Sequence, residues 1–330
     1  MRIAVVVVSN NWERLRYCWE ALESQSFSQF CVVLADFSLD QSVTKSLESS
    51  RLNQERRVHA LSAKHTTVNQ AWNRAIEQIS EANPPAYVPF LNDDSRPKPT
   101  WLECLALSAD RAGKRVGMFA SMLLAKCECH IRSAGHTIVI PWGRPDCRYK
   151  EPVMPGLEAD PVPIVPCGVV PCGAAALYRW ELIEQLRGQY QEQFMDEEIE
   201  HYWTCLDIGI KAQILGWTSE LVSDAVVVDA GFEIDGVKTL NDRAERLQQE
   251  SRLALTVKFV PPELLPEELN DQITHSMAHM LKRGKGAILA EALEKLCRKR
   301  ESLLEKRSKW AKIAAELQFD TVKLLCGRPQ

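Results

Sequence analysis

Asn92, Asp93 and Asp94 stand side by side, directly after the apolar stretch 87–91 and just before Pro97 and Pro99. Adjacent like charges repel, so something must compensate them. Two chemistries fit. Asn, Asp and Ser side chains bond to their own backbone in tight turns, and Asn-Asp-Asp-Ser is ordinary turn composition. The same carboxylates are equally suited to a divalent cation, because hard cations take oxygen ligands. A second acidic run, Met195 to Glu200, offers carboxylates of the kind that serve as general bases.

The chain has 330 residues, 45% hydrophobic and 25% charged, which is the balance of a globular protein with a large core. A net charge of −4 argues against nucleic acid as the main partner. No apolar run approaches the roughly 20 residues needed to cross a bilayer. The opening MRIAVVVVSNN is apolar too briefly for a secretory segment. The 11 cysteines are scattered, and we read them as reduced thiols of a cytoplasmic protein. Cys127, Cys129 and His130, with His136 and Cys147 beyond, lack the paired spacing of a zinc site. Free cysteine is the preferred reading.

The elements that must position these residues alternate. Residues 3–8 are a β-branched run, as expected of a strand covered on both faces, and Ser9-Asn10-Asn11 ends it. A helix is predicted over 12–24, a strand over 30–35 closed by Asp36, a helix over 69–79, a strand over 87–91 and a helix over 101–111. Such β-α-β order implies a mostly parallel sheet with right-handed crossovers. Ligands of open α/β sheets bind beyond the carboxyl ends of the strands. Asn10, Asp36, Asp93 and Asp94 all fall there. Residues 134–171, rich in Pro and Gly, read as loops and short strands. A helix from near Tyr178, a helix over 206–215 ending at Gly216 and a strand over 225–228 follow. Beyond Asn241, Glu, Lys, Arg, Leu and Ala dominate and helices are predicted, broken by Pro261, Pro262 and Pro266. The expected organisation is a domain over 1–240 and a helical extension over 241–330.

In this order the segments resemble the family 2 glycosyltransferases of GT-A fold, particularly bacterial rhamnosyltransferase-like members. Val8-Ser9-Asn10-Asn11 matches the family's first strand and polar turn, and Asp36 its nucleotide-contacting aspartate. Trp72-Asn73-Arg74-Ala75-Ile76 is similar to an Arg-Asn-Arg-Gly-Ile segment. Leu91-Asn92-Asp93-Asp94 through Trp101-Leu102 resembles the metal-binding DxD region. Cys172-Gly173-Ala174 through Arg179 is similar to a Gly-Ala-x-x-Leu-x-Arg segment, and Leu215-Gly216-Trp217 and residues 223–228 match later elements. The resemblance covers about 3–232 and extends weakly to residues 281–287.

It implies a metal-dependent, inverting transfer of a sugar from a nucleotide diphosphate sugar to an acceptor hydroxyl, on a glycan or lipid-linked acceptor, in surface polysaccharide or glycoconjugate assembly. Mn²⁺ or Mg²⁺ would be held by Asp94, Asn92 and Asp229. Ser9, Asn10, Asp36, Asn73, Arg74, Asn92, Asp93 and Gly173 would bind the nucleotide sugar. Two departures stand out. Counting back from Gly216-Trp217, the family's Glu-Asp-x-Asp, which carries the base, becomes Thr204-Cys205-Leu206-Asp207. An acidic copy lies seven residues earlier, so Glu198 is the preferred base, then Glu197 and Glu200, with Asp207 the outsider. Asp229 also stands where the family often has a metal-binding His. Trp142 and Trp217 could stack on sugar or base, although aromatic residues more often belong to a core.

Two other functions are weighed. A nucleotidyltransferase would want a Gly-rich loop and a lysine after the first strand, where this chain has Ser9-Asn10-Asn11-Trp12. A catalytically degenerate binding or scaffold subunit is kept alive by Thr204-Cys205 and Asp229. The basic residues between Leu281 and Lys312 leave two uses open: contact with the inner face of an anionic membrane, or a helical hairpin docked on the catalytic domain or a second subunit.

Overall fold

The β-branched run forms β1 (Ile3–Ser9), buried along its whole length. The computed structural model describes residues 2–81, 84–129, 131–137, 169–199, 203–229 and 242–325. After β1 come α1 (Trp12–Glu23), β2 (Phe30–Asp36), α2 (Ser42–Ser46), α3 (Arg51–Gln54), β3 (Val58–Ser62), α4 (Val68–Glu81), β4 (Tyr87–Asn92), β5 (Ser95–Pro97) and α5 (Trp101–Arg111). Then follow β6 (Val116–Ala125), β7 (Ile131–Ser133), β8 (His136–Thr137), β9 (Val169–Val170), β10 (Ala175–Arg179), α6 (Trp180–Glu184), α7 (Thr204–Ile214) and β11 (Thr218–Asp229). Four helices close the described chain: α8 (Asp242–Phe259), α9 (Leu265–Lys282), α10 (Gly286–Glu316) and α11 (Thr321–Leu325).

One sheet runs in the order β3-β2-β1-β4-β10-β6-β11-β5, with β7 beside β6. β1 is parallel to β2 and β4, β2 to β3, and β6 to β11. β10 runs antiparallel between β4 and β6, and β5 runs antiparallel to β11. Side chains alternate across the sheet. Val5 and Val7 face the layer of α1 and α5, with Leu15, Trp19, Trp101 and Leu105. Val6 and Val8 face the other layer, with Trp72 and Ile76 of α4 and Ile210 and Ile214 of α7.

The link between β4 and β5 is only Asp93 and Asp94, yet β10, β6 and β11 lie between those strands in the sheet. Four strand spacings of about 4.8 Å would separate them by roughly 19 Å if the sheet were flat. The path from Asn92 to Ser95 spans at most about 11 Å. The sheet must therefore curl until β11 and β5 come round to the end of β4. This curl delivers Asp229, register partner of Ser95, to the neighbourhood of the acidic pair.

The C-terminal helices share the same apolar core. Leu255 and Phe259 of α8 and Leu303 and Trp310 of α10 join one buried cluster with α4 and α7. The composition shift near Asn241 is thus not a break in packing. Most of the tail's basic residues are engaged inside the molecule. Arg283 and Lys285 meet Glu245, Lys295 meets Glu250, Lys306 meets Asp196 and Lys309 meets Glu192. Docking of the tail onto the N-terminal part of the chain is what is observed, and no described helix is long and apolar enough to cross a membrane.

Periodicity alone missed β3, β6 and β10. β3 carries His59 and Ser62 and has no buried residue, and β6 carries Gly117 and Ser121 within its apolar run. Cys127 and Cys129 form a disulfide in the turn after β6, so the reading of every cysteine as a free thiol fails for this pair. His130 and Cys147 lie outside the described residues.

Candidate active site

The carboxyl ends of β1, β2 and β4 lie side by side. Ser9 is in register with Asp36 across β1 and β2, and Val8 with Asn92 across β1 and β4. Ser9 Oγ donates to Asp93 Oδ2 at 2.8 Å, joining the first polar turn to the acidic pair. Asp93 is buried and Asp94 partly so. Burial pushes the Asp93 carboxyl up to about 6, against the pull of Arg14 and of the Ser9 hydroxyl.

Arg14, in the first turn of α1, answers the repulsion of the neighbouring carboxylates. Its Nε is 3.0 Å from Asp93 Oδ1 and its Nη2 2.8 Å from Asp94 Oδ2. Burial opposes charge on Arg14, but Asp93, Asp94 and, farther off, Asp229 outweigh it and raise its pKa. Asp229 in turn pairs with Arg132 at 3.1 Å. Sequence reasoning missed Arg14. The available signal was its place in a first helical turn, where the dipole disfavours a cation that lacks an acidic partner.

The donors converging here are oxygens, which fits Mn²⁺ or Mg²⁺ in kind. Their spacing is set by a guanidinium, and among the described residues no group of three His, Cys, Asp or Glu is arranged to hold an ion. An ion on Asp94 Oδ2 would need Arg14 to withdraw.

Asp36 is fully buried with both oxygens engaged. Oδ1 accepts from the Ser38 N–H at 2.9 Å and the Ser38 hydroxyl at 2.5 Å, and Oδ2 accepts from the N–H and hydroxyl of Thr44 at 2.8 Å each. In this state Asp36 caps its own loop. Asn10 and Arg74 are exposed, Asn10 beside the turn and Arg74 on α4, and Gly173 is exposed in the loop before β10. Asn73 turns inward: its amide donates to Met195 O and Glu197 Oε1, and its Oδ1 accepts from the Met195 N–H. It anchors the acidic loop.

That loop is tied down on all sides. Glu197 accepts from Gln70 as well as Asn73, both at 3.1 Å. Glu198 accepts from the Ser302 hydroxyl, lies 3.5 Å from Lys306 Nζ, and its carbonyl accepts from Lys299. Asp207 has no exposed surface; Lys258 stands 2.6 Å from its Oδ1 and Lys211 2.6 Å from its Oδ2. That buried pairing leaves Asp207 no oxygen for an acceptor hydroxyl, which argues against the outsider base. Glu200 and Trp142 lie outside the described residues. Trp217 is core: it is buried, its indole donates to Gln185, and it packs on Gly117.

Thr204 and Cys205 open α7. A Cβ built on Gly173 would stand 3.8 Å from Cys205 Cβ, so this helix start abuts the Gly173 loop. Burial pushes the Cys205 thiol up to about 12, so it is neutral at physiological pH and a poor proton acceptor.

No family model matches the chain, and no curated protein matches it. Solved structures do. The mannosyltransferase PcManGT from Pyrobaculum calidifontis, in complex with GDP-Man and Mn²⁺, is 14% identical with a TM-score of 0.50, covering 98% of this chain and 86% of that one. TarS 1–349 from S. aureus, in complex with UDP-GlcNAc, is 12% identical with a TM-score of 0.52, covering 96% of this chain and 90% of that one. The chain therefore has the GT-A nucleotide-diphospho-sugar transferase fold, and the similarity runs through its C-terminal helices.

Proposed function

We propose that this chain is a metal-dependent, inverting glycosyltransferase that moves a sugar from a nucleotide diphosphate sugar to an acceptor hydroxyl, in surface polysaccharide or glycoconjugate assembly. One observation carries this reading: Ser9, Asp36 and the Asn92-Asp93-Asp94 run lie at adjacent strand ends of a fold shared with sugar-nucleotide enzymes. Asp94, Asn92 and Asp229 would hold Mn²⁺ or Mg²⁺, which when bound stabilises charge on the leaving diphosphate.

The chain's own residues supply the rest. Ser9 orients Asp93 by its hydrogen bond, and Asp36 shapes the loop that receives the nucleotide. Asn10, Arg74 and Gly173 are exposed and free to meet the donor. Glu198 takes the acceptor proton onto a carboxylate oxygen once that oxygen is released from Ser302 or Lys306, with Glu197 and Glu200 as the other candidates. Asn73 contributes indirectly, by fixing Glu197.

A second reading has its own support. Every described acid from Glu192 to Asp207 already has an internal partner, and Cys205 is neutral. A donor-binding chain that does not transfer would look like this. Titration calorimetry with UDP and GDP, with and without Mn²⁺, followed by a hydrolysis screen over nucleotide sugars, separates the two. Turnover supports the transferase. Binding without turnover favours the degenerate subunit, and absence of binding removes both.

A further inference from the structure

Arg14 is held in place from both ends. Asn11 caps α1 by accepting the Arg14 N–H at 3.3 Å, which fixes where the side chain starts. At the far end one planar guanidinium spans two carboxylates, Nε to Asp93 and Nη2 to Asp94. Asp93 is itself fixed, because its other oxygen accepts from Ser9. A guanidinium fork suits two acceptors in this way, whereas a lysine ammonium is a point charge. A divalent ion held by Asp94 through Oδ2, with Asn92 and Asp229, would need that oxygen at about 2.0–2.6 Å. The fork and the ion exclude each other.

We propose that Arg14 is the resident cation of this acidic site, competing with the divalent ion for Asp94, so that the ion enters only when the guanidinium swings away. The inference rests on the reading of Asp94 as a ligand of the ion. Withdrawal is sterically open, because the Arg14 side chain is 54% exposed while the Asp93 and Asp94 side chains are only 11% and 17% exposed. The carboxylates stay and the arginine leaves. The outgoing guanidinium remains on α1, beside the site, and within reach of a phosphate that arrives with the ion.

The test is Mn²⁺ binding without nucleotide, read by electron paramagnetic resonance of the free ion, for the full chain and for Arg14→Gln. The variant is expected to bind Mn²⁺ about tenfold tighter, equivalent to about 1.4 kcal/mol. Adding Asp94→Asn should abolish that gain. Equal affinity of wild type and Arg14→Gln, absence of binding in both, or a gain that survives Asp94→Asn would each overturn the proposal. Should Arg14→Gln fail to fold, Arg14→Lys decides. Its point charge cannot span both carboxylates, so its affinity should rise by a few-fold, and equality with wild type overturns the idea. UDP and GDP titrations on the same proteins keep the two readings apart. Failure of nucleotide to bind, with the Mn²⁺ result intact, would remove the transferase and leave the competition standing.

Discussion

Lys258 and Asp207 meet at 2.6 Å, and neither side chain reaches solvent. The same ammonium lies 2.7 Å from Asp196, also fully buried, and Lys306 reaches Asp196 from α10 at 2.7 Å. A C-terminal helix thus neutralises two carboxylates, Asp196 and Asp207, of the N-terminal part of the chain. Breaking a buried pair from one side is costly, because it strands a charge without water or partner.

Lys258→Met should destabilise the protein by about 3–5 kcal/mol. Burial alone would raise Asp196, but Lys258, Lys211 and Lys306 outweigh it and hold the carboxyl well below its usual range. Burial alone would lower Lys258, but Asp207, Asp196 and Glu192 outweigh it and raise the lysine. A depressed Asp contributes stability above its unfolded pKa of about 3.9, lost as pH falls; a raised Lys contributes below about 10.4, lost as pH rises. The melting-temperature gap between wild type and Lys258→Met should therefore be flat from about pH 5 to 9 and narrow on both sides. A gap that changes steadily through neutral pH would count against the cluster as its source.

Removal of everything after residue 240 should leave residues 1–240 unable to fold. Glu192, Asp196 and Asp207 would keep Lys211 but lose Lys258, Lys306 and Lys309, while the apolar face under Leu303 and Trp310 opened to water. Circular dichroism and solubility of a 1–240 fragment check this. A soluble fragment with a cooperative melt close to that of the full chain would show the helices to be dispensable.

Asp36→Asn keeps the shape but removes the charge that four donors from Ser38 and Thr44 share. Hydrogen bonds to charged groups contribute about 1.5–3 kcal/mol each, so a loss of that order is expected. If the loop rather than the carboxylate meets the nucleotide, UDP affinity should fall along with the melting temperature. Lost affinity at an unchanged melting temperature would instead make Asp36 a direct contact.

Glu198→Gln should lower turnover by at least ~10²-fold if Glu198 is the base. Asp207→Asn should lose stability first, given its two buried lysines. A well-folded but inactive Asp207→Asn would restore the outsider. Cys205, pushed up to about 12, should resist iodoacetamide at pH 8 in the folded chain, while exposed Cys297 reacts. Peptide mapping by mass spectrometry reads both thiols, and comparable labelling would mean that Cys205 is neither buried nor neutral.

The strands and helices that carry the strand-end residues were legible because their apolar patterns are long and cleanly punctuated: β1, β2, β4 and α5 lie where the periodicity puts them. The partners of those residues were not. Arg14 reads as one charge on an amphipathic helix until the pairing of β4 with β1 brings Asp93 and Asp94 beside it. Lys258 did leave a trace, a lysine between Val257 and Phe259 in an otherwise apolar turn, which signals a buried acid without saying which. The acidic loop misled for the opposite reason. A row of carboxylates looks solvent-facing or catalytic, and its use as a socket for distant lysines depends on contacts more than 100 residues apart, such as Lys306 with Asp196.

The two-residue connection between β4 and β5 has a mechanical consequence. With one end bonded to β1 and β10 and the other to β11, Asp93 and Asp94 form a two-residue turn that leaves little chain to absorb relative motion of β4 and β5. Any shear between those two strands must turn the carboxylates, and any ligand that draws the carboxylates together must pull on both strands. A glycine inserted after Asp94 would act like a loosened hinge pin: the strands could stay paired while the carboxylates lost their common aim.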